Sequence, residues 1–366
     1  MQARVVMLVD FDYFFAQCEE LRSPALKNKP VVVGVYSGRT EDSGAVSTAN
    51  YIARKYKVKS GIPLYLAKKR LEGTEAVFLP VDYDYYEQIS RRIMETLRGY
   101  ANSFEQVGID EAYLDVTSRT QGSFRAAADL VQKMKTNVKS RVGITFSVGV
   151  GPNKLVAKIA ADTQKPDGIT VIQPEEVMQF LSPLPISRLV GIGRKTGAKM
   201  GELGIKTIGD LASYSIQKLM EIFGKKLGVY FHNAANGVDD ESVRETGEAE
   251  SISRIATLKE NTRDLMVILQ KTDQLTGEIH KDLAKRNLSF KQVSVIAIIT
   301  DLSVRSRSKT LETATNDLAH LRQVVRELFG KFLNESKLEV RRVGVKVSQF
   351  SKEENEQKKL TSFLGS

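Results

Sequence analysis

Three acidic positions in this chain invite a chemical reading: Asp10, which closes the apolar run RVVMLVDFD, and the adjacent pair Asp110 and Glu111 in FEQVGIDEAYLDV. Any one of them alone suits a turn or a helix cap. Taken together, an acid at the end of one strand and an acidic pair at the bend of a neighbouring hairpin would direct three carboxylates at one point. Three like charges held that close need cations. Hard oxygen donors with no His or Cys nearby select Mg²⁺, with Mn²⁺ as a substitute. Two such ions, about 3.5 to 4 Å apart, would activate an attacking 3′-hydroxyl and stabilise a departing pyrophosphate, which is nucleotidyl transfer.

The surrounding segments have the periodicities needed to place those acids. RVVMLVDFD reads as a buried strand that delivers Asp10 to a loop, and FFAQCEELR after it has helical spacing. PVVVGVYS is a second strand, after which GRTEDSGAVSTANYIARKY passes through a Gly- and Ser-containing turn into a helix. DYDYYEQISRRIMETLRGYA is an amphipathic helix. FEQVGIDEAYLDV gives two short strands bending between Gly108 and Glu111, and ITFSVGVG is one more strand before the helix NKLVAKIAAD. Alternation of this kind predicts an α+β sheet of the split βαβ type with helices on one face. From about 170 to 236 the pattern is helical. VGIGRKTGAKMGELGI within it has the turn of a helix-hairpin-helix, whose Gly191 and Gly193 would let backbone N–H groups approach a phosphate without reading sequence. Residues 237–250 hold six acids and one base and read as a linker. Residues 251–350 form a second α/β unit in which KQVSVIAIITDL and LEVRRVGVKVSQF are the clearest strands.

Composition narrows the function classes. The chain has 366 residues, enough for several domains, and 42% hydrophobic with 27% charged residues is ordinary for a folded protein. The single Cys18 and three separated histidines argue against disulfides and zinc. The apolar runs are strand-sized, which predicts a cytoplasmic protein without a signal peptide or membrane span. A net charge of +10 favours a polyanionic partner. Residues 251–350 hold 18 Lys or Arg against 11 Asp or Glu, so two basic units flank the acidic linker.

DFDYFFAQCEE, SGRTEDSGAVSTANYIARKY, GIDEAYLDVT, VGVGPNKLVAKIAAD and KPDGI, in this order and spacing, resemble the Y-family DNA polymerases of the archaeal DNA polymerase IV type over essentially the whole chain. The resemblance implies a right-hand polymerase: a ferredoxin-like palm (1–10 and 79–168), small fingers (11–78), and a helical thumb with the helix-hairpin-helix (169–236). The linker (237–250), an α/β little finger (251–350) and a flexible tail (351–366) would follow. It implies that Asp10, Asp110 and the backbone carbonyl of Phe11 ligate the metals and that Glu111 completes the site, while Asp12 has a structural role. Phe15 would be a steric gate against the 2′-hydroxyl. Thr48, Tyr51, Arg54 and Lys165 would hold the β- and γ-phosphates of the incoming deoxynucleotide. Val35, Ala45 and Ser47 would form a thin roof over the nascent base pair, Ser47 standing where Ala also occurs. That roof implies low-fidelity, distributive synthesis able to pass damaged bases, and no exonuclease constellation is present to proofread.

Primer-template DNA would be gripped by the Gly191 and Gly193 hairpin and by Arg341, Arg342 and Lys346 in RRVGVKVSQF, where alternation puts Arg342 and Lys346 on one face and Arg341 on the other. Gln357, Leu360, Phe363 and Leu364 in the tail fit the sliding-clamp-binding pattern, with Leu364 in place of the usual second aromatic. The expected enzyme is a monomer. Two rival readings exist: a nucleotide cyclase, which shares a ferredoxin-like palm and paired metals but lacks the helix-hairpin-helix and a basic second lobe, and a non-catalytic DNA-binding or clamp-recruited scaffold, which has no use for Asp10, Asp110, Glu111 and Phe15 together.

Overall fold

A computed structural model describes residues 3–245, 247 and 249–352. The first strand, β1 (Val6–Phe11), is buried along nearly its whole length and is followed by the helix Phe14–Arg22. Strands β2 (Val31–Tyr36) and β3 (Gly44–Ala49) come next, then the helices Tyr51–Lys55 and Leu64–Arg70, and β4 (Val77–Pro80). These three strands form a small sheet in the order β3-β2-β4, with β4 parallel to β2. β3 lies within the segment expected to be a turn leading directly into a helix. Its sequence, GAVSTA, has one large apolar residue, Val46, so it is pairing with β2 that extends it, and composition alone gives little sign of a strand.

The larger sheet has the order β5-β6-β1-β7-β8, built from β5 (Ser103–Gln106), β6 (Glu111–Asp115), β7 (Phe146–Gly151) and β8 (Ile169–Val171) around β1. β1 is antiparallel to both neighbours, and β7 and β8 are parallel. The long helices Tyr83–Arg98 and Phe124–Val142 put Ile89, Ile93, Val131 and Val138 into one core with Met7, Val9 and Phe11. The expectation of helices on one face fails at the other side, where Val6 and Leu8 pack with Ala157 and Ala161 of the helix Lys154–Ala161. Gly149 permits this approach, since a Cβ there would lie 2.0 Å from the Ala157 carbonyl oxygen. With both faces covered, β1 reads as a continuous apolar run rather than an alternating one.

Five helices follow β8: Val177–Leu181, Arg194–Glu202, Ile208–Ala212, Ile216–Phe223 and Lys225–Ala235. They enclose a core of their own around Met200, Leu211, Leu219 and Phe231. The acid-rich stretch after them has no helix or strand up to Glu245, yet it is no free tether. Val243 is buried beside Val6 and Leu8, the Asp239 carboxylate accepts from the Leu155 N–H at 3.0 Å, and Glu241 pairs with Lys154 at 2.9 Å. Lys154 and the Leu155 N–H thus hold part of a segment that its composition marks as a linker.

By compactness the described residues divide into two units, the first within Met1–Gly34, Val46–Ile62 and Leu66–Thr246, the second within Val35–Ala45, Pro63–Tyr65 and Gly247–Ser366. In the second, β9 (Ser251–Thr262), β10 (Leu288–Ile299), β11 (Val304–Thr315) and β12 (Val340–Lys352) make an antiparallel sheet ordered β11-β10-β12-β9. The helices Leu265–Arg286 and Leu318–Glu335, N-capped by Asp264 and Asp317, bury one face of it through Ile279, Leu283, Val325 and Phe329. Among the described residues no helix is long and apolar enough to cross a membrane.

Candidate active site

The antiparallel pairing of β1 with β6 sets Asp10 directly opposite Glu111, and the Phe11 N–H donates to the Asp110 carbonyl at 2.8 Å. Strand register therefore brings together acids a hundred positions apart. Burial is the main force on their chemistry. It raises Asp10 to about 6, helped by the negative charges of Asp110 and Glu111 and opposed by the Lys165 ammonium 2.7 Å away. Burial also raises Asp110, with Glu111 adding to the effect. Lys165 lies 3.0 Å from Asp162 as well, and the attraction of the two carboxylates outweighs its own burial and holds its pKa above the ordinary value. Glu111 meets a different cation, Lys158, at 2.6 Å. The carboxylates are thus drawn to separate ammonium groups, and among the described residues no three acidic, imidazole or thiol groups gather closely enough to hold a metal ion. The donor chemistry nonetheless suits hard cations, since the half-buried carboxylates of Asp10 and Asp110, raised chiefly by desolvation and further by like charge, are stabilised by added positive charge.

A cavity of about 260 Å³ opens beside these acids and is lined by Asp10, Phe11, Tyr13, Phe15, Ser47, Thr48, Tyr51, Arg54, Asp110 and Lys165, among others. Phe15, in the first turn of the helix Phe14–Arg22, stacks on Tyr86 with ring centroids 4.4 Å apart and 16° between planes. Thr48 comes from β3. Tyr51 and Arg54 share a helix capped by Asn50, and the Arg54 guanidinium sits 4.7 Å over the Tyr51 ring while its Nε donates to the Ala49 carbonyl. Asp12 is fully enclosed, accepting from the Ser147 hydroxyl at 2.7 Å and the Asp167 N–H at 2.8 Å, which ties β1 to the loop that carries Lys165.

The remaining sequence-derived positions lie elsewhere. In the second unit, Val35 and Ala45 line a separate groove with Tyr36, Ile255, Arg341 and Arg342. Arg342 and Lys346 lie on the sheet face opposite the helices, in register with Ile298 and Ser294. The irregular register between Val340 and Arg342 puts Arg341 at a bulge, so simple alternation does not describe its direction. Gly191 has φ +86°, which requires glycine, and a Cβ there would meet the Tyr230 ring at 3.2 Å. Gly193 starts the helix Arg194–Glu202 with open space around it. Gln357, Leu360, Phe363 and Leu364 lie outside the described residues.

Sequence reasoning missed Lys158 and Tyr13. The four-residue spacing of Lys154 and Lys158 on one helix was a usable signal for the first. Tyr13 gives no such sign, since its importance comes from a left-handed backbone, φ 36° and ψ 45°, that turns the chain from β1 into the helix.

Comparison with known proteins settles the family. Residues 9–162 match the impB/mucB/samB family, residues 249–360 match that family's C-terminal domain, and residues 187–239 match a DNA polymerase-iota thumb domain. The DNA polymerase IV of Nitrosopumilus maritimus is 45% identical over the full length of both chains. The chain belongs to the Y-family of DNA polymerases. Another relative, the DNA polymerase IV of Saccharolobus solfataricus, is 42% identical over 94% of this chain and 96% of its own. Among solved structures, a Y-family polymerase chimera of Dbh and Dpo4 matches with a TM-score of 0.89, 40% identity and coverage of 95% of this chain and 99% of the other. An insertion ternary complex of Dbh DNA polymerase matches at 0.68 with 39% identity, covering 94% and 98%. This Y-family member is accordingly a DNA-directed DNA polymerase of translesion type with the right-hand fold, including a helix-hairpin-helix thumb and a little-finger sheet.

Proposed function

We propose that this polymerase carries out low-fidelity, distributive synthesis across damaged template bases, adding deoxynucleotides at the cavity beside Asp10, without a proofreading step. One observation carries the reading: a single cavity is lined by the acids Asp10 and Asp110, by the phosphate donors Thr48, Tyr51, Arg54 and Lys165, and by the ring of Phe15. Asp10, Asp110, Glu111 and the carbonyl of Phe11 would hold two Mg²⁺ ions, with Mn²⁺ as a substitute, whose Lewis acidity serves the attacking 3′-hydroxyl and the leaving pyrophosphate. Thr48, Tyr51, Arg54 and Lys165 donate to the β- and γ-phosphates and so fix the α-phosphorus for attack. Lys165 reaches the triphosphate by exchanging its Asp10 partner for phosphate oxygens. Phe15 lies against the sugar and leaves no room for a 2′-hydroxyl. Ser47, with Val35 and Ala45, gives the base pair a roof of small side chains that tests its shape weakly.

In this reading residues 1–10 and 79–168 act as palm, 11–78 as fingers, 169–236 as thumb and 251–350 as little finger. DNA is gripped through phosphates by the backbone around Gly191 and Gly193 and by Arg341, Arg342 and Lys346. The tail residues Gln357, Leu360, Phe363 and Leu364 recruit the polymerase, as a monomer in the cytoplasm, to the sliding clamp. The test is primer extension on undamaged and abasic templates with and without Mg²⁺. Extension on both, lost without the cation, supports the proposal, and inability to pass the abasic site contradicts it. Phe15→Ala is expected to raise ribonucleotide incorporation at least about tenfold in single-nucleotide extension.

A further inference from the structure

The helix Phe14–Arg22 buries two consecutive acids, Glu19 and Glu20, at 5% and 6% exposure. Successive helical residues point about 100° apart, so the two carboxylates serve different neighbours. Glu19 accepts a hydrogen bond from the Tyr86 hydroxyl at 2.7 Å, and the Tyr86 ring is the one stacked on Phe15. Glu20 accepts from the Tyr13 hydroxyl at 3.2 Å with one oxygen and from the Asn50 amide at 2.8 Å with the other. The Tyr13 ring stands edge-on to Tyr51 at 5.4 Å and 86°. Asn50 caps the helix that carries Tyr51 and Arg54, its side-chain oxygen accepting from the Ala53 N–H at 3.0 Å.

Apolar residues would occupy these two buried positions at much lower desolvation cost, because an enclosed carboxylate is destabilising unless its hydrogen bonds are fully met. Tyr13 adds strain, since a non-glycine residue in the left-handed region costs about 1 to 2 kcal/mol. Both costs fall on the one helix that leads away from Asp10, and each carboxylate ends, through a tyrosine, on a residue lining the cavity.

We infer that Glu19 and Glu20 are positioning residues with separate tasks: Glu19, through Tyr86, sets the angle at which Phe15 meets the sugar, and Glu20, through Tyr13 and Asn50, aims Tyr51 and Arg54 at the triphosphate. The inference rests on the roles proposed above for Phe15, Tyr51 and Arg54. It predicts that the two arms separate in kinetics, whereas acids that merely support the fold would lower stability and activity together.

The experiment is single-nucleotide extension by the full-length polymerase with deoxy- and ribonucleotides, with the thermal midpoint of each variant recorded. Tyr86→Phe and Tyr13→Phe each remove one hydroxyl and keep the ring, while Glu19→Gln and Glu20→Gln keep shape and remove charge. Losing one such hydrogen bond corresponds to about a three- to tenfold change. Tyr86→Phe and Glu19→Gln are expected to raise ribonucleotide use by that factor with the deoxynucleotide KM held within about twofold. Tyr13→Phe and Glu20→Gln are expected to raise the deoxynucleotide KM by that factor, with kcat and sugar discrimination nearly unchanged. Equal effects of all four on both readouts, or no effect, overturn the inference. Phe15→Ala is the control: if it relaxes sugar choice and Tyr86→Phe does not, the Glu19 arm alone falls. If Phe15→Ala leaves sugar choice intact, the gate falls and the Glu19 arm with it.

Discussion

At the scale of single residues, the cavity is built from groups held at a cost. Asp10 has an ordinary value near 3.8 and is raised to about 6 by burial, so the native state prefers its protonated form more strongly than the unfolded chain does. A raised carboxylate pKa means that stability is lost as pH climbs from about 4 to about 6, and the whole loss is present at neutral pH. In chelator-treated protein, Asp10→Asn should therefore raise the stability by about 1 to 3 kcal/mol at pH 7.5, with the advantage vanishing near pH 4. Thermal or denaturant unfolding of both proteins across that pH range checks it, and an advantage independent of pH would contradict it. The meeting of Asp10 with the Asp110–Glu111 pair was legible because an acid closing an apolar strand and an acidic pair at a hairpin bend are conspicuous. The partnerships of Lys158 with Glu111 and of Lys165 with Asp10 were not, because they depend on how a helix and a loop pack after folding.

At the scale of elements, the site exists because β1, β6 and the helix Lys154–Ala161 approach closely. The approach at β7 requires Gly149, whose Cβ would overlap the Ala157 carbonyl and lie 2.3 Å from the Ala161 nitrogen. Gly149→Ala should cost about 3 kcal/mol or more, because backbone rather than a flexible side chain must give way. Chemical denaturation measures this, and a loss below about 1 kcal/mol would show that helix and strand separate easily. Strand β1 and the helices Tyr83–Arg98 and Lys154–Ala161 were readable from periodicity. β3 was not, since a strand of mostly small residues owes its conformation to its partner. The cover that Lys154–Ala161 provides was also hidden, because small residues on a helix signal close packing without saying against which face.

At the scale of the whole molecule, the net charge of +10 favours a polyanionic partner. Each unit has its own core, and the basic second unit presents Arg342 and Lys346 on the sheet face that its helices leave open. If these side chains bind phosphates, DNA affinity falls with rising salt, and Arg342→Ala or Lys346→Ala should each lower the slope of log affinity against log salt by about 0.9. Anisotropy titrations from low to moderate salt read this directly, and an unchanged slope would remove that residue from the interface. The sequence shows two basic stretches on either side of an acid-rich one. That part of the linker docks on the first unit, through Val243 and the Glu241–Lys154 pair, could not be read from charge alone.

The central claim is that the acids brought together by β1 and the β5–β6 hairpin carry nucleotidyl transfer. It is tested most directly by measuring primer extension and primer-template affinity side by side for the wild-type protein and Asp110→Ala in the presence of Mg²⁺. The account predicts that extension by Asp110→Ala falls below detection while DNA affinity stays within about twofold. Substantial extension by a variant that still binds DNA would contradict it.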